Sequence, residues 1–507
     1  MRLGQLLEGV TITGMDGDPD VEIQGIVYDS RRVRPGYLFV AIRGHAVDGH
    51  AFIDQAIENG ASAVVAETIG TGPVPTFVRV ADSHEALSAL AVAYFSHPFA
   101  GMDLVGITGT NGKTTTSYLL ESILLAAGHR PGVLGTVTYR YPGHVCPAPV
   151  TTPESLDLME ATRKMADQGV THVVMEVSSH GLDQGRVRHC PFRVAVFTNL
   201  SRDHLDYHGS MDDYFKAKSL LFRGLAGRAA RQKVRPVHAV INLDDARAGE
   251  LMDLTDAEIV TYGLNEASHV RADRVELSRN GISARIVTPK GPFGVRSSLI
   301  GGYNLSNILA AAAAALSLGI APETIAAGVV QLQGVPGRLE MVKNRRGLAV
   351  AVDYAHTPDA LMKALGAVRP LTGGKLITVF GCGGDRDKGK RSEMGRVAGR
   401  ASDVVFITSD NPRTEDPGAI VAQIEEGVAE SGMKKLSFHN GSASGQPRGY
   451  MVELDRASAI RKAVRMATEH DLVLIAGKGH EDYQIIGRER RPFDDRTIAR
   501  EAASEGQ

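Results

Sequence analysis

The sequence predicts an α/β fold of three domains, and three observations carry that expectation. The chain has 507 residues, which at roughly 100–200 residues per domain suits about three domains, each with its own core. Beyond residue 100, short apolar strands alternate with helix-length segments, the pattern of a largely parallel sheet. Between the strand Leu104-Val105-Gly106-Ile107 and a helix-spaced run from Thr114 to Ala127 stands Gly109-Thr110-Asn111-Gly112-Lys113-Thr114-Thr115. That makes a strand, glycine loop and helix unit.

Residues 1–99 mix short alternating strands such as Val21 to Ile26 with helical runs such as Ala51 to Asn59, and close at the break Ser96-His97-Pro98. Residues 100–335 read as a P-loop mononucleotide-binding α/β domain, with further strands at 173–175 and 194–197. The Gly/Pro cluster Gly334-Val335-Pro336-Gly337-Arg338 marks a hinge. Residues 336–507 read as a Rossmann-like α/β domain with strands at 348–352, 376–380, 404–408 and 472–476. Within it, Gly441 to Gly449 has the composition of a flexible surface loop.

Lys and Arg number 56 against 58 Asp and Glu, a net charge of −2, so no basic surplus argues for nucleic acid and no cationic amphipathic segment for a membrane surface. Small-molecule partners are expected. Cys146, Cys190 and Cys382 are widely spaced; they exclude a disulfide framework, disfavour a cysteine zinc site and indicate a reducing compartment. The N-terminal apolar run breaks at Glu8 and offers no signal-peptide core. The most apolar stretch, Ile308 to Ala321, is shorter than the ~18 residues of a membrane span and reads as a buried helix in a cytoplasmic protein.

A phosphate loop needs glycines so that backbone N–H groups reach the anion, a lysine for the β/γ oxygens and a hydroxyl for Mg²⁺. Gly109, Gly112, Lys113 and Thr114 supply them. The usual first glycine would fall at Ile107, so this loop is a variant; GK[ST] between strand and helix outweighs a plain glycine turn. Glu176 follows an apolar strand on the edge where such sheets bind ligands, which suits a Mg²⁺ ligand, although a strand-end glutamate is more often a cap or solvated. Polar groups crowd the next strand end, Asn199 to His208.

In the segment from Tyr214 to Phe222 the apolar face suffices for packing, so spacing alone assigns its lysines to the surface. Asp385 to Arg391 and Asp410-Asn411-Pro412-Arg413 follow two strands of the third domain. Gly381-Cys382-Gly383-Gly384 is no dinucleotide fingerprint, because its third glycine would be Arg386. The guanidinium forks of Arg386 and Arg413 could hold a carboxylate; from spacing alone, surface salt bridges are the commoner outcome.

In order and spacing, these segments resemble the Mur ligases over essentially the whole chain. Tyr28-Asp29-Ser30-Arg31 with Leu38 to Ala41 is similar to that family's N-terminal uridine-nucleotide domain, and GTNGKTT is its form of the phosphate loop. The resemblance implies ATP and Mg²⁺ as cofactors. Gly109, Thr110, Asn111, Gly112, Lys113, Thr114, Thr115, Asn304, Arg338, Asp353 and His356 would contact ATP. Ser30, His45, Ala46 and Val47 would contact the uridine diphosphate of a UDP-N-acetylmuramoyl dipeptide; Thr151, Thr152, Ser178, Gln184 and Arg186 would hold its remainder. Thr114, Glu176, His204 and Lys218, the last as a carbamate (N6-carboxylysine), would serve the metal. Val150 departs from relatives that carry asparagine there, and is left without a role.

For the incoming amino acid, Asp410-Asn411-Pro412-Arg413 resembles the family's diaminopimelate-adding form. Arg386, Asp410, Asn411, Pro412, Arg413, Gly477 and Glu481 would bind meso-diaminopimelate, with Arg413 and Arg386 on the carboxylate that lysine lacks and Glu481 on the distal ammonium. The implied reaction is ATP-dependent amide ligation through an acyl phosphate in peptidoglycan precursor synthesis, with Lys113, Glu176, His204 and Lys218 as its catalytic residues. A lysine-adding or folylpolyglutamate-type ligase, or a P-loop switch protein, are the alternatives. No coiled-coil heptads argue for self-association, so a monomer is expected.

Overall fold

The computed structural model describes residues 1–44, 47–68, 75–230, 236–436 and 448–504. Its described strands form sheets of five, eleven, seven and two strands.

The five-stranded sheet lies within residues 12–80. Four neighbouring strands, Gly25–Val27, Tyr37–Val40, Ala61–Ala66 and Phe77–Val80, run parallel, and Ile12–Asp16 pairs antiparallel at the edge. The first parallel strand is shorter than the alternation from Val21 suggests. Gln24 instead donates its backbone N–H to Gly36 O, ahead of the ladder. The expected helical run is a 3₁₀ turn, Gly49–Phe52, followed by the helix Ile53–Glu58. His45 and Ala46 lie outside the described residues, as does most of the Gly441 to Gly449 segment.

At the centre of the eleven-stranded sheet lies β1 (Asp103–Thr108), leading through the glycine loop into α1 (Lys113–Ala126). It pairs in parallel with β2 (His172–Glu176) on one side and β3 (Phe192–Phe197) on the other. All of these strands are buried nearly end to end, as parallel strands covered on both faces must be. Helix α2 (Met211–Ser219) follows β3. The sheet then extends through an antiparallel region, β4 (Val270–Ser278), β5 (Gly281–Val287) and the edge strand Phe293–Ser297, that strand alternation did not predict. Helix α3 (Gly302–Ser317) buries almost its whole Ala-rich surface beside α1. It ends before the apolar run does, because Gly319 turns at φ 89°.

The seven-stranded sheet contains β6 (Ala349–Asp353), β7 (Leu376–Phe380), β8 (Val404–Ile407) and β9 (Leu472–Ala476), with α4 (Pro358–Val368) between β6 and β7. Strand β9 inserts between β6 and β7, all parallel, so the carboxyl ends of all four share one edge. The tip of the β4–β5 hairpin joins the second and third sheets. There Arg279 donates to the carbonyls of Leu371, Glu469 and His470 at 2.6, 3.1 and 2.6 Å.

Candidate active site

The glycine loop has the backbone that close approach to an anion requires. Gly109 and Gly112 have φ of 142° and 90°, a region that L side chains rarely adopt. A Cβ at Gly109 would stand 1.9 Å from Thr198 Oγ1, and one at Gly112 would stand 2.4 Å from Asn307 Oδ1. The position where the common loop has its first glycine, Ile107, is wholly buried in β1. Gly106 is a packing residue, since its Cβ would lie 2.8 Å from the Phe192 ring. The Lys113 ammonium donates to the carbonyls of Gly109 and Thr110 at 2.7 and 2.9 Å. It stands at the start of α1, where the helix macrodipole adds its own positive potential.

A cleft of about 460 Å³ is lined by Thr110 to Thr115, Glu176, His204, Arg338, Asp353 and His356, drawn from both the second and third sheets. Glu176 is buried at the end of β2. Its Oε2 accepts from Thr114 Oγ1 at 3.0 Å and from Thr136 Oγ1 at 2.9 Å, and its Oε1 accepts from Thr136 N at 3.0 Å. Arg338 Nη2 reaches Thr114 Oγ1 at 3.3 Å. Thr136 has no signal in the sequence, since it follows β2's neighbour in the sheet rather than β2 itself.

Expected at the surface, Lys218 is 2 % exposed. Its Nζ donates to Gly109 O at 3.0 Å and sits 4.3 Å from the Tyr214 ring centroid. Burial, then repulsion from Lys113, holds its ammonium well below the usual lysine range, against the attraction of Asp203. Lys216, on the same helix, is exposed and pairs with Asp213, so only one lysine turns inward. His204 adopts φ 53° and packs edge-on to His180, with ring centroids 5.0 Å apart.

For a magnesium ion, the test is the donor set. Thr114 Oγ1 and Glu176 Oε2, 3.0 Å apart at the helix N-terminus, are the hard oxygens this ion prefers. Among the described residues no three His, Cys, Asp or Glu side chains converge on one point. The arrangement therefore fits an ion that takes its other ligands from phosphate and water.

Thr152, Ser178, Gln184 and Arg186 come together beside Glu176. Thr152 Oγ1 donates to Glu176 O at 3.0 Å and accepts from Ser178 N at 2.9 Å. Arg186 donates to Thr152 O at 2.8 Å and Gln184 Oε1 at 2.6 Å. Thr151 shares a 3.1 Å hydrogen bond with Thr136. Ser30 and Val47 stand apart on the first sheet's side. The Ser30 hydroxyl donates to Gln55 at 2.7 Å and is buried, whereas Val47 is exposed. Asn304 is fully buried and bonded to Ile300 O and Asn307, and it is Asn307 and Tyr303 that border the cleft.

From the third sheet, Asp353 accepts from Leu339 N and Ala355 N at 2.7 and 2.8 Å. Burial nevertheless holds its carboxyl above the ordinary value, opposed by Arg338. His356 Nδ1 shares a 2.8 Å bond with Tyr354 O. At the ends of β7 and β8, Arg386 and Arg413 flank Gly383, whose Cβ would lie 3.0 Å from Arg413 Nη1 and 3.8 Å from Arg386 Cγ. Spacing favours salt bridges for both, yet each donates to a carbonyl, of Asp385 and Gly384. Neither has a carboxylate partner among the described residues. The small hairpin of Tyr483–Ile486 and Glu489–Pro492 fixes Arg413 at φ 52° through Arg413 N to Ile485 O at 3.1 Å.

Beside the two arginines, Asn411 Nδ2 donates to Glu481 Oε2 at 2.9 Å, and Lys478 Nζ reaches both Asn411 Oδ1 and Glu481 Oε2 at 3.0 Å. Gly477 must be glycine at φ 116°, because a Cβ there would stand 2.5 Å from Asp410 Oδ2. Pro412 contributes backbone: its carbonyl would lie 1.9 Å from a Cβ at Gly384.

A phosphate loop facing a second α/β sheet, with two guanidinium groups at that sheet's ligand edge that meet no carboxylate among the described residues, defines a three-module nucleotide-using enzyme. Residues 22–94 match the profile described as Mur ligase family, catalytic domain; residues 107–315 match Mur ligase middle domain; residues 337–479 match Mur ligase, glutamate ligase domain. The UDP-N-acetylmuramoyl-L-alanyl-D-glutamate--2,6-diaminopimelate ligase of Geobacter metallireducens is 47% identical over 100% of both chains. That of Geobacillus kaustophilus is 46% identical over 96% of each. A solved structure of a ligase with the same name is 33% identical, covers 99% of this chain and 98% of its own, and superposes with a TM-score of 0.69. The chain belongs to the Mur ligase family.

Proposed function

We propose that the protein is an ATP-dependent amide ligase joining meso-2,6-diaminopimelate to the γ-carboxylate of D-glutamate in UDP-N-acetylmuramoyl-L-alanyl-D-glutamate, a step of peptidoglycan precursor synthesis. The observation that carries the choice of amino acid is the pair Arg386 and Arg413, flanking Gly383 without a carboxylate of their own. Two guanidinium groups suit a carboxylate, and Glu481 beside them suits an ammonium. Lysine would supply the ammonium and leave the arginines without an anion.

In the first step a γ-carboxylate oxygen attacks the γ-phosphorus of ATP; the bond to the bridging oxygen breaks, giving an acyl phosphate and ADP. The diaminopimelate amine then attacks the acyl carbon, phosphate leaves, and the amine gives up a proton. Lys113 and the N-terminus of α1 offset charge on the phosphates, and Arg338 reaches the same place from the third module. Thr114, Glu176, His204 and a carbamate on Lys218 would hold Mg²⁺, which when bound neutralises phosphate oxygens. Thr151, Thr152, Ser178, Gln184 and Arg186 orient the muramoyl peptide, while Ser30 and Val47 stand toward its uridine end. Placing three reactants on three modules converts encounters into one oriented complex, and movement about Pro336 would close it against water. The reading includes a cytoplasmic monomer: its three cysteines are free thiols, and among the described residues no helix is long and apolar enough to cross a membrane.

The test is product mass spectrometry after incubating enzyme, ATP, Mg²⁺ and the UDP-linked dipeptide with diaminopimelate or with lysine. Faster product with diaminopimelate is expected. Faster product with lysine would overturn the acceptor, and phosphate release without dipeptide and amino acid would point to a nucleotide switch.

A further inference from the structure

Lys478 has no role in the reaction as set out above, yet its placement is unusual. It is 0 % exposed, in a segment turned inward by two glycines. Gly477 has φ 116° and Gly479 φ 55°; a Cβ on the first would strike Asp410 Oδ2 at 2.5 Å, and on the second Tyr354 Cβ at 2.6 Å. The chain is therefore forced past two tight contacts, with the lysine between them aimed into the protein. There Nζ donates to Asn411 Oδ1 and Glu481 Oε2, each at 3.0 Å, stands 3.7 Å from Asp410 Oδ1, and faces the Tyr483 ring at 5.4 Å.

A buried ammonium is a poor device for stability alone, since an apolar side chain of similar volume commonly serves as well. What the ammonium does that an apolar group cannot is hold Glu481. Of the two hydrogen bonds that fix Glu481 Oε2, one comes from Lys478 and one from Asn411 Nδ2. Lys478 also anchors the other end of that amide, Asn411 Oδ1, which in turn accepts from Ile485 N at 2.9 Å. Counting Asp410, Glu481 and Lys478, the cluster has two formal negative charges and one positive. The neighbouring Arg456–Asp495 pair adds one charge of each sign, so the balance is one negative charge, the match for one ammonium. We infer that Lys478 is a positioning residue for the acceptor's second amine: it aims the Glu481 carboxylate and sets the charge of that corner. The inference rests on the diaminopimelate reading above.

The test compares diaminopimelate with 2-aminopimelate, which keeps both carboxylates and the attacking amine but lacks the second amine, in wild type and Lys478→Met. The wild-type enzyme is measured first: if it does not ligate diaminopimelate, the functional reading fails, separately from this inference. Given ligation, wild type is expected to prefer diaminopimelate, and the preference in kcat/KM should fall at least tenfold in Lys478→Met. The KM for ATP should stay within twofold, a split that general loss of structure would not produce. A preference unchanged within twofold, or increased, overturns the assignment. Should Lys478→Met not yield folded protein, Lys478→Arg carries the same comparison. Its longer planar fork places its donors differently from a single ammonium between Asn411 Oδ1 and Glu481 Oε2, so a fall in preference of at least threefold supports the role, and a preference within twofold of wild type overturns it.

Discussion

Asp359, in the first turn of α4, accepts a 3.4 Å hydrogen bond from Nδ2 of Asn111, so a carboxylate of the third module touches the phosphate loop of the second. The same Oδ2 accepts from Ser201 Oγ at 2.8 Å and from Lys363 Nζ at 2.8 Å. One oxygen thus ties the loop, the end of β3 and α4 together. Asp359→Ala is expected to lower kcat/KM for ATP by about tenfold, roughly 1.4 kcal/mol, the size of one or two modest hydrogen bonds. Steady-state kinetics check it, and a value within twofold of wild type means that the bridge does not matter to turnover.

Gly112→Ala should cost nucleotide binding more than stability. The substitution places a Cβ 2.4 Å from Asn307 Oδ1 at φ 90°, adding about 1–3 kcal/mol of backbone strain to a steric clash. Gly128, at φ 75°, has nothing within 4 Å of its own Cβ position. Gly128→Ala therefore isolates strain without contact. Titration with a fluorescent nucleotide should show affinity down at least tenfold for Gly112→Ala and unchanged for Gly128→Ala.

Lys218 has its ammonium pushed well below the usual range by burial and by Lys113, so the neutral amine, the form that attacks carbon dioxide and loses a proton to become a carbamate, is favoured. Activity is expected to fall when dissolved carbon dioxide is purged and to return with bicarbonate. Lys218→Ala should lose activity on the order of a hundredfold, the scale of removing one charge-stabilising group. Full activity of that variant, with no carbamate in the intact mass of the wild type, would remove the proposed ligand.

Glu415 accepts two hydrogen bonds from the fully buried Arg391, which with the Asp385 N–H lowers its carboxyl from 4.5 to about 2. Because the folded value lies below the unfolded one, the stabilisation is complete above about 4.5 and drains away as pH falls toward 2. Thermal unfolding of the wild type should lose midpoint steadily across that window. Glu415→Gln should start lower at neutral pH and show a flatter dependence there; parallel curves for the two proteins would contradict the pairing.

Much of this site is legible in the sequence where chemistry is contiguous. A strand, a glycine turn and Lys113-Thr114 are neighbours in the chain, so the phosphate loop can be read from its own residues. Lys218 is different. Amphipathic spacing sees one helix and cannot see that Gly109, from another element, covers its second face. Thr136 and Asn307 border the cleft, and Asp359 touches the phosphate loop, from segments far apart in sequence, and each owes its position to sheet order or module packing that no local pattern encodes. The arginines show the converse: spacing favours ion pairs, whereas the backbone turn at Arg413 presents its guanidinium to the Gly384 carbonyl instead. The hairpin strands β4 and β5 escape notice because their partly exposed pattern is weak beside the buried parallel strands.

The hairpin clasp has an evolutionary side. Arg279 grips Leu371, Glu469 and His470 by their carbonyl oxygens alone, and every amino acid carries that atom. Mutations that replace those three side chains leave the grip chemically intact, so the surface of the third module can be rewritten while its mounting on the second stays the same.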